Sequence, residues 1–310
     1  MHVSTKQAAE LLNNGKVVGI PTETVYGLAA SLNQPQAIEE VFRLKGRPSN
    51  NPLIVHLSSL EQLKEYVHDL SDEIVELAHN FWPGAMTLVL PIKDGSISDT
   101  VRARLSTAAF RIPNHPLTSS LLELTGPLVM PSANLSGRPS ATSAAHVEND
   151  FGADFPVLNG GVCTQGLEST ILFKKDERWV IIRLGALAPD AFKSILGYSP
   201  EVMGIEKNVD QPLCPGQLYR HYAPKAHLRL VTETGNWKGV VIGFDDRSYR
   251  GAERVIYLGS SGDPETAAHR LYGVLRQLDA EGISEAWVDT DFPSHGLWLT
   301  LKERLIKASN

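Results

Sequence analysis

Two basic residues, Lys45 and Arg47, follow a helical pattern and come shortly after a stretch rich in hydroxyl groups. That stretch, Pro-Thr-Glu-Thr-Val-Tyr-Gly-Leu at residues 21–28, follows the short apolar run 17–20, which is typical of a buried strand. Residues 36–44 have apolar side chains at helical spacing and are followed by a Lys-Gly stop and a proline. Cations past a helix end complement the helix dipole, so the pair alone favours a structural role as much as an anion site.

Similar polar clusters recur next to other strand-like runs. Arg111 ends one apolar run, and residues 131–140, Pro-Ser-Ala-Asn-Leu-Ser-Gly-Arg-Pro-Ser, follow another. Glu-Ser-Thr at 168–170 precedes a third run, and Arg183 ends a fourth. Each cluster alone also fits surface arginines, turns and helix caps. Together, with few acidic residues among them, they predict a cleft for an anionic ligand such as a nucleoside triphosphate plus a carboxylate. The four cations of these clusters are Lys45, Arg47, Arg111 and Arg183.

Several familiar catalytic motifs are absent from the sequence. The glycine pair Gly161 and Gly166 has the spacing of a P-loop, but Leu167 follows where the P-loop has lysine. The chain has no Gly-x-Gly-x-x-Gly opening, no Gly-x-Ser-x-Gly elbow and no His-Glu-x-x-His pair. The two cysteines, Cys163 and Cys214, lack a zinc spacing and are too few for a disulfide framework.

The composition is that of an ordinary globular protein. The chain has 310 residues, 42% of them hydrophobic, which is enough for two domains. A net charge of -6 argues against a protein that coats nucleic acid by bulk charge. The sequence shows no secretory signal and no apolar run of the roughly 20 residues that a membrane helix needs. We therefore expect a soluble, cytoplasmic protein with no membrane partner.

The order of elements predicts an α/β fold with two domains. Residues 1–196 alternate helical and strand-like segments with connections of very different length, which indicates a twisted mixed sheet flanked by helices. Residues 197–224 are rich in proline and glycine and are predicted to form a semi-rigid linker. Residues 225–310 combine short buried-strand runs with two helices, which indicates a smaller, Rossmann-like parallel α/β domain.

The motifs, taken in order, resemble the YrdC-like family of L-threonylcarbamoyladenylate synthases. The resemblance is carried by residues 21–28, Lys-Gly-Arg-Pro at 45–48, Asn-Pro-Leu at 51–53, Pro-Ser-Ala-Asn at 131–134, Ser-Thr-Ile at 169–171 and Arg-Leu-Gly at 183–185. The run Tyr-Arg-His-Tyr-Ala-Pro at 219–224, followed by a small α/β domain, resembles the long, two-domain form. Cys214, Gln217-Leu218 and Phe110 depart mildly from the family pattern.

The resemblance implies a nucleotidyltransferase that makes threonylcarbamoyl-AMP and pyrophosphate from L-threonine, bicarbonate or CO2, and ATP. It implies roles in L-threonine binding for Thr24, His56, Arg111 and Ser169, with Arg111 on the carboxylate. It implies ATP contacts for Lys45, Arg47, Asn51, Thr107, Ser132, Asn134, Ser140, Arg183 and Tyr222, of which Lys45 and Arg47 are also the predicted catalytic residues. Tyr222 would make the linker a lid over the nucleotide.

The same resemblance implies the wider context of the reaction. The product would pass to the tRNA threonylcarbamoyl-transferase machinery for N6-threonylcarbamoyladenosine at position 37 of tRNA, and tRNA itself is a further expected partner. A Mg²⁺ ion would accompany ATP and be held mainly by phosphates, since the motifs contain no acidic cluster. The alternative is a module of the same fold that binds double-stranded RNA or tRNA without synthase activity. Purely structural roles are the alternative for single residues: His56 as a buried core histidine, or Tyr222 as an anchor that fixes the linker to the first domain.

Overall fold

The computed structural model describes residues 1–203, 221–232 and 237–310. Most of the predicted linker 197–224, including Cys214, Gln217-Leu218 and the first residues of the Tyr-Arg-His-Tyr-Ala-Pro run, lies outside the described residues. No helix in the described part of the chain is long and apolar enough to cross a membrane.

The helices of residues 1–196 begin and end at residues that cap them. Ser4 caps the first helix through a reciprocal pair of bonds with Gln7, and Gly46 stops the second with a left-handed φ of 60°, which glycine adopts without steric cost. The helices are α1 (Thr5–Asn13), α2 (Pro35–Lys45), α3 (Leu60–Leu63), α4 (Asp72–Phe81), α5 (Asp99–Arg102), α6 (Pro116–Thr125), α7 (Ala144–Phe151) and α8 (Lys193–Leu196), with a 3-10 turn at Pro189–Phe192.

A ten-stranded mixed sheet forms the larger part of the molecule. Its strands are β1 (His2–Val3), β2 (Val18–Ile20), β3 (Gly27–Ser31), β4 (Ile54–His56), β5 (Met86–Pro91), β6 (Thr107–Arg111), β7 (Leu128–Val129), β8 (Val157–Leu158), β9 (Thr170–Lys175) and β10 (Arg178–Arg183). Their order is β1-β8-β2-β3-β7-β4-β6-β5-β9-β10. Strand β4 runs parallel to β6, and β5 parallel to β9, whereas β6 is antiparallel to β5 and β10 to β9. The predicted mixed sheet flanked by helices is confirmed.

A separate four-stranded sheet follows along the chain. Strands β11 (His227–Val231), β12 (Val240–Gly243), β13 (Arg254–Tyr257) and β14 (Glu285–Asp289) are all parallel, in the order β11-β14-β12-β13. Helices α9 (Pro264–Ala280) and α10 (Leu297–Ser309) bury their apolar residues in the same core as these strands. The predicted small parallel α/β layer is confirmed, and residues 225–310 are called the C-terminal domain below.

Three local predictions from the sequence were incomplete. Residues 27–31 form strand β3, which pairs antiparallel with β2, so the hydroxyl-rich stretch is a connection between two strands. The pattern of residues 59–67 predicts one helix, but the structure has a helix only over Leu60–Leu63. Helix α7, capped by the Ser143 side chain, was not among the predicted helices, because its eight residues are too few for a clear helical period.

Candidate active site

The predicted polar clusters meet in one cleft at an edge of the ten-stranded sheet. Strands β4 and β6 are parallel and pair His56 with Arg111, so both side chains reach the same edge. Strand β10 ends there at Arg183, which pairs with the beginning of antiparallel β9 next to Ser169. The loop after β7 joins them through a bridge between Gly27 and Ser132. The cleft holds about 600 Å³, including solvent at its mouth.

Most of the predicted site residues line this cleft. From the threonine set they are Thr24, His56, Arg111 and Ser169, and from the ATP set Arg47, Ser132, Asn134, Ser140, Arg183 and Tyr222. Lys45, Asn51 and Thr107 are not among the lining residues. Thr107 begins β6 on the same face as Arg111, four residues away. Lys45 and Asn51 are both buried.

Arg111 forms a buried ion pair that the sequence did not predict. Its Nη2 donates to Oε1 of Glu23 at 2.7 Å, and its Nε donates to the carbonyl of Gly84 at 3.1 Å. Both side chains are more than nine-tenths buried. The second carboxylate oxygen of Glu23, Oε2, has no hydrogen-bond partner among the described residues. Glu23 therefore holds the Arg111 guanidinium in place at the edge of the cleft.

Ser169 is held by two polar neighbours. Arg183 donates through Nη2 to its hydroxyl at 2.9 Å and through Nε and Nη2 to its carbonyl. The hydroxyls of Thr87 and Ser169 lie 2.7 Å apart. Glycine is required at Gly185 behind them, because a Cβ there would collide with the backbone of Glu168 and Ser169.

His56 is a neutral imidazole with a defined tautomer. Burial, reinforced by the positive charge of Arg111, holds the pKa of His56 well below its ordinary value of 6.5. Its Nδ1 lies 3.1 Å from the carbonyl oxygen of Ile54, which can only accept, so Nδ1 carries the proton. The Nε2 atom is then a hydrogen-bond acceptor, on a ring that lines the cleft.

Lys45 supports the loop that carries Ser132 and Asn134. Its ammonium donates to the carbonyl oxygens of both residues, at 2.7 Å for Asn134. Burial first, and then the charge of Arg47, lower the pKa of Lys45 well below 10.5. Arg47 donates to the carbonyls of Asn51 and Pro52. In this structure the lysine therefore shapes the cleft wall and does not line it.

Glu168 is the only carboxylate among the described residues that line the cleft. It accepts from the hydroxyl of Ser140 at 2.6 Å, from the hydroxyl of Tyr272 at 2.9 Å and from Nε of Arg304 at 3.1 Å. Burial acts to raise the pKa of Glu168, but the charges of Arg304 and Arg183 outweigh it and leave the pKa below its ordinary value. The carboxylate is thus ionised and fully engaged.

Tyr222 occupies the junction between the cleft and the C-terminal domain. Its ring stacks on Tyr272 with centroids 5.5 Å apart, and the Arg304 guanidinium lies 4.7 Å from its centroid. The next residue, Ala223, donates its backbone N–H to the carbonyl of Gly137. Tyr222 also has a positive φ of 67°, which is uncommon for a residue with a side chain. Tyr222 therefore both lines the cleft and packs against the C-terminal domain.

Among the lining residues that were not predicted as site residues, three are ionisable: Arg138, Glu168 and His221. Arg138 and Glu168 lie inside the motifs that contain the other site residues, and His221 directly precedes Tyr222. Their position in these motifs could have identified them as site residues. Glu168 has its partners 104 and 136 residues away, which no local pattern indicates.

The cleft offers no set of carboxylates for a divalent cation. Glu168 already accepts from three groups, and the described residues contain no cluster of three His, Cys, Asp or Glu side chains placed to hold a metal. A magnesium ion in this cleft would therefore need its ligands from a bound triphosphate and from water.

The fold and the site together define an α/β protein with an arginine-rich cleft for anions. Two protein-family models match its sequence. The Sua5/YciO/YrdC model, described as "Telomere recombination", matches residues 10–185. The model of the "Threonylcarbamoyl-AMP synthase, C-terminal domain" matches residues 190–310. The chain belongs to the Sua5/YciO/YrdC family, in the form that carries this C-terminal domain.

Relatives along nearly the whole length share one name. "Threonylcarbamoyl-AMP synthase" of Bacillus subtilis (strain 168) is 36% identical, with 98% of this chain and 92% of the relative covered. That of Pyrococcus abyssi is 37% identical, covering 97% and 93%. The crystal structure of P. abyssi Sua5 complexed with L-threonine superposes with a TM-score of 0.89 at 34% identity, covering all of this chain and 97% of the other. The predicted family and class of enzyme, a nucleotidyltransferase of the threonylcarbamoyl-AMP synthase type, are confirmed.

Proposed function

We propose that the cleft makes threonylcarbamoyl-AMP and pyrophosphate from L-threonine, bicarbonate or CO2, and ATP. The observation that carries the proposal is the convergence of four arginines on one cleft that is otherwise lined mainly by hydroxyl, amide and apolar side chains. The four are Arg47, Arg111, Arg138 and Arg183. Such a cleft neutralises a triphosphate and an amino-acid carboxylate without supplying a covalent nucleophile.

L-Threonine is proposed to bind among Thr24, His56, Arg111 and Ser169. The guanidinium of Arg111, oriented by Glu23, grips the substrate carboxylate. Nε2 of neutral His56 accepts a hydrogen bond from the substrate hydroxyl or amine. Because the imidazole stays uncharged, it does not repel the amine of the substrate.

ATP is proposed to bind along the remaining wall. Arg47 and Arg183 face the phosphates, and Lys45 is held one layer behind them by the Ser132 and Asn134 carbonyls. The Oδ1 atom of Asn134 is buried and has no partner among the described residues, which suits a donor of the nucleotide. The hydroxyls of Ser132 and Ser140 and the ring of Tyr222 belong to the same set. Asn51 and Thr107, which do not line the cleft, are assigned to it by the family resemblance alone.

The proposed reaction has two bond-forming steps. The threonine nitrogen attacks the carbon of CO2 and loses a proton, which gives a carbamate. A carbamate oxygen then attacks the α-phosphorus of ATP, and the bond between the α-phosphorus and its bridging oxygen breaks to release pyrophosphate. The arginines hold both anions close together and neutralise charge on the phosphates, so the site acts by positioning and electrostatics.

The wider assignments follow from this reaction. Magnesium would enter as the partner of the ATP phosphates, and the labile product would pass to an enzyme that transfers threonylcarbamoyl to adenosine 37 of tRNA, in the cytoplasm. The domain boundaries at residues 196 and 224 are part of the same proposal. The C-terminal family model, which begins at residue 190, supports the first boundary.

The test is pyrophosphate release from ATP by the purified chain with magnesium and bicarbonate, with and without L-threonine. We expect threonine-dependent release together with a threonylcarbamoyl-AMP peak in mass spectrometry. ATP binding without release would contradict the proposal. Tight, ATP-independent binding of tRNA in that case would favour the RNA-binding module.

A further inference from the structure

Two residues of the C-terminal domain reach the wall of the cleft. Tyr272 of α9 and Arg304 of α10 are both fully buried, and both donate to Oε2 of Glu168. Arg304 also donates through Nε to the Tyr272 hydroxyl and through Nη2 to the carbonyl of Leu184. One side of the Glu168 carboxylate is thus fixed entirely by the C-terminal domain.

The other oxygen of the same carboxylate faces the nucleotide side of the cleft. Oε1 of Glu168 accepts from the Ser140 hydroxyl at 2.6 Å, the short distance of a charge-assisted bond. Because this bond orients the serine hydroxyl proton toward Glu168, the lone pairs of Ser140 are left for a donor in the cleft. A carboxylate that rotated or shifted would release that hydroxyl.

Helix α9 holds the backbone of the same loop. Arg276, one turn after Tyr272, donates to the carbonyls of Pro139 at 2.7 Å and Ser140 at 3.3 Å. It also forms a buried ion pair with Asp150, which in turn accepts from the backbone of Leu135. The C-terminal domain therefore holds Ser140 in two ways: its side chain through Glu168 and its backbone through Arg276.

Among the described residues, the side chains of the threonine set make no hydrogen bond to the C-terminal domain. In the described part of the chain, the hydrogen bonds of Arg111 go to Glu23 and Gly84, and those of Thr24 to Thr22. The imidazole of His56 bonds within its own strand. All of these partners, and those of the Ser169 hydroxyl, belong to the ten-stranded sheet and its loops. The hydrogen bonds from the C-terminal domain therefore act on the ATP side, and it reaches the threonine side only through the chain neighbours Glu168 of Ser169 and Val25 of Thr24.

We propose that Tyr272 and Arg304 are positioning residues for the ATP half of the cleft, acting through Glu168 on Ser140. The inference rests on the proposed function for its choice of ligand. It makes the C-terminal domain part of the nucleotide site, beyond anchoring the linker through Tyr222.

The decisive variant is Tyr272→Phe, which removes one hydroxyl and keeps the ring that stacks on Tyr222. The matched control is Tyr249→Phe, which removes a buried hydroxyl of the same domain whose partners within the described residues are Asp289 and the backbone of Phe244. Calorimetry with ATP and magnesium, and separately with L-threonine, measures the two affinities of the full-length chains. We expect Tyr272→Phe to weaken ATP binding about tenfold, as for the loss of a bond to a charged group, and to leave threonine binding within about twofold. The control should change neither affinity.

A double-variant cycle with Ser140→Ala separates positioning from general loosening. If Tyr272 acts through Glu168 on Ser140, Tyr272→Phe should add little to the ATP affinity already lost in Ser140→Ala. Arg304→Lys keeps the charge but loses the Nη2 bond to Leu184. It should weaken ATP binding more than Tyr272→Phe and again spare threonine binding, and it replaces Tyr272→Phe if that variant does not fold. Equal losses for both ligands, additive effects in the cycle, or an unchanged ATP affinity would overturn the proposal. Since binding alone is measured, a chain that binds ATP but makes no adenylate would contradict the proposed function and leave this test intact.

Discussion

The Nη2 atom of Arg111 lies 2.7 Å from Oε1 of Glu23, in a pair that is more than nine-tenths buried. The proposed threonine carboxylate would meet this guanidinium from the side of the cleft. In the proposed site, a carboxylate of the protein thus orients the guanidinium that receives a carboxylate of the substrate, which would give Arg111 both a structural and a binding role.

Arg111→Ala should therefore lose threonine binding by about 1.5 to 3 kcal/mol, with a much smaller loss for ATP. It should also lower the free energy of unfolding by about 3 kcal/mol, because Glu23 is left as a buried charge. Calorimetry with each ligand and urea unfolding measure the two effects. The double variant Glu23→Leu/Arg111→Met should regain stability without regaining threonine affinity. Equal losses for the two ligands would contradict the assignment.

Tyr222→Ala should shorten the lifetime of the bound intermediate. Its ring closes part of the cleft and stacks on Tyr272, so its loss opens a route for water and for escape of the product. Mass spectrometry of free and hydrolysed intermediate over time, in single-turnover conditions, measures this. Tyr222→Phe keeps the ring and should behave as the parent chain. If both variants match the parent in turnover and product lifetime, Tyr222 is not a lid.

The fold should lose stability as the pH falls through weakly acidic values. Burial, reinforced by Arg276 and opposed by Asp150, lowers the pKa of His146 from 6.5 to about 4. The folded state thus keeps this imidazole neutral while the unfolded chain takes up a proton below pH 6.5, so stability drops between pH 6.5 and 4. For His146 alone this amounts to about 2 kcal/mol at pH 5.

Urea unfolding at pH 7.5 and at pH 5 tests this titration. The variant His146→Asn keeps an acceptor for the backbone N–H of Thr142 but does not titrate. It should lose part of the pH dependence, while the rest remains with His56 and His221, whose pKa values are also lowered by burial. An identical pH dependence in parent and variant would rule out His146 as a contributor.

Arg276→Met should destabilise the chain by about 3 kcal/mol, because Asp150 is buried and loses its bidentate partner. The control is Arg254→Met, which breaks an ion pair with Glu281 at the surface and should cost much less, because water already screens the two charges. Urea unfolding of both variants gives the comparison. Similar costs for the two would mean that the Asp150 pair is no stronger than a surface pair.

The sequence predicted those parts of the site whose residues follow or precede a strand within one motif. His56 and Arg111 end apolar runs, and the parallel pairing of β4 and β6, which the sequence did not predict, brings them together. Lys45 shows the limit of this reasoning. Its position after a helix was predicted, but its ammonium bonds to carbonyls of a loop almost 90 residues away, which no spacing indicates.

Long-range charge pairs were the main features that local patterns could not provide. Glu23 and Glu168 were visible as rare acidic residues in otherwise neutral motifs. Their partners, Arg111 and Arg304, are set by how strands and helices pack, which depends on the whole hydrophobic pattern. Helix α7 was missed for a related reason, since it is short and depends on its Ser143 cap and on packing.

The glutamate at position 168 also bears on how such chains can be rearranged in evolution or in the laboratory. Its charge is balanced by an arginine 136 residues further along the chain, so neither half of the sequence can be exchanged without regard to the other. Grafting the C-terminal half of another relative onto this chain should succeed only where the incoming segment supplies a cation and a hydroxyl at the same points. A free-standing first half would instead need a different residue at position 168, or water in place of the missing donors.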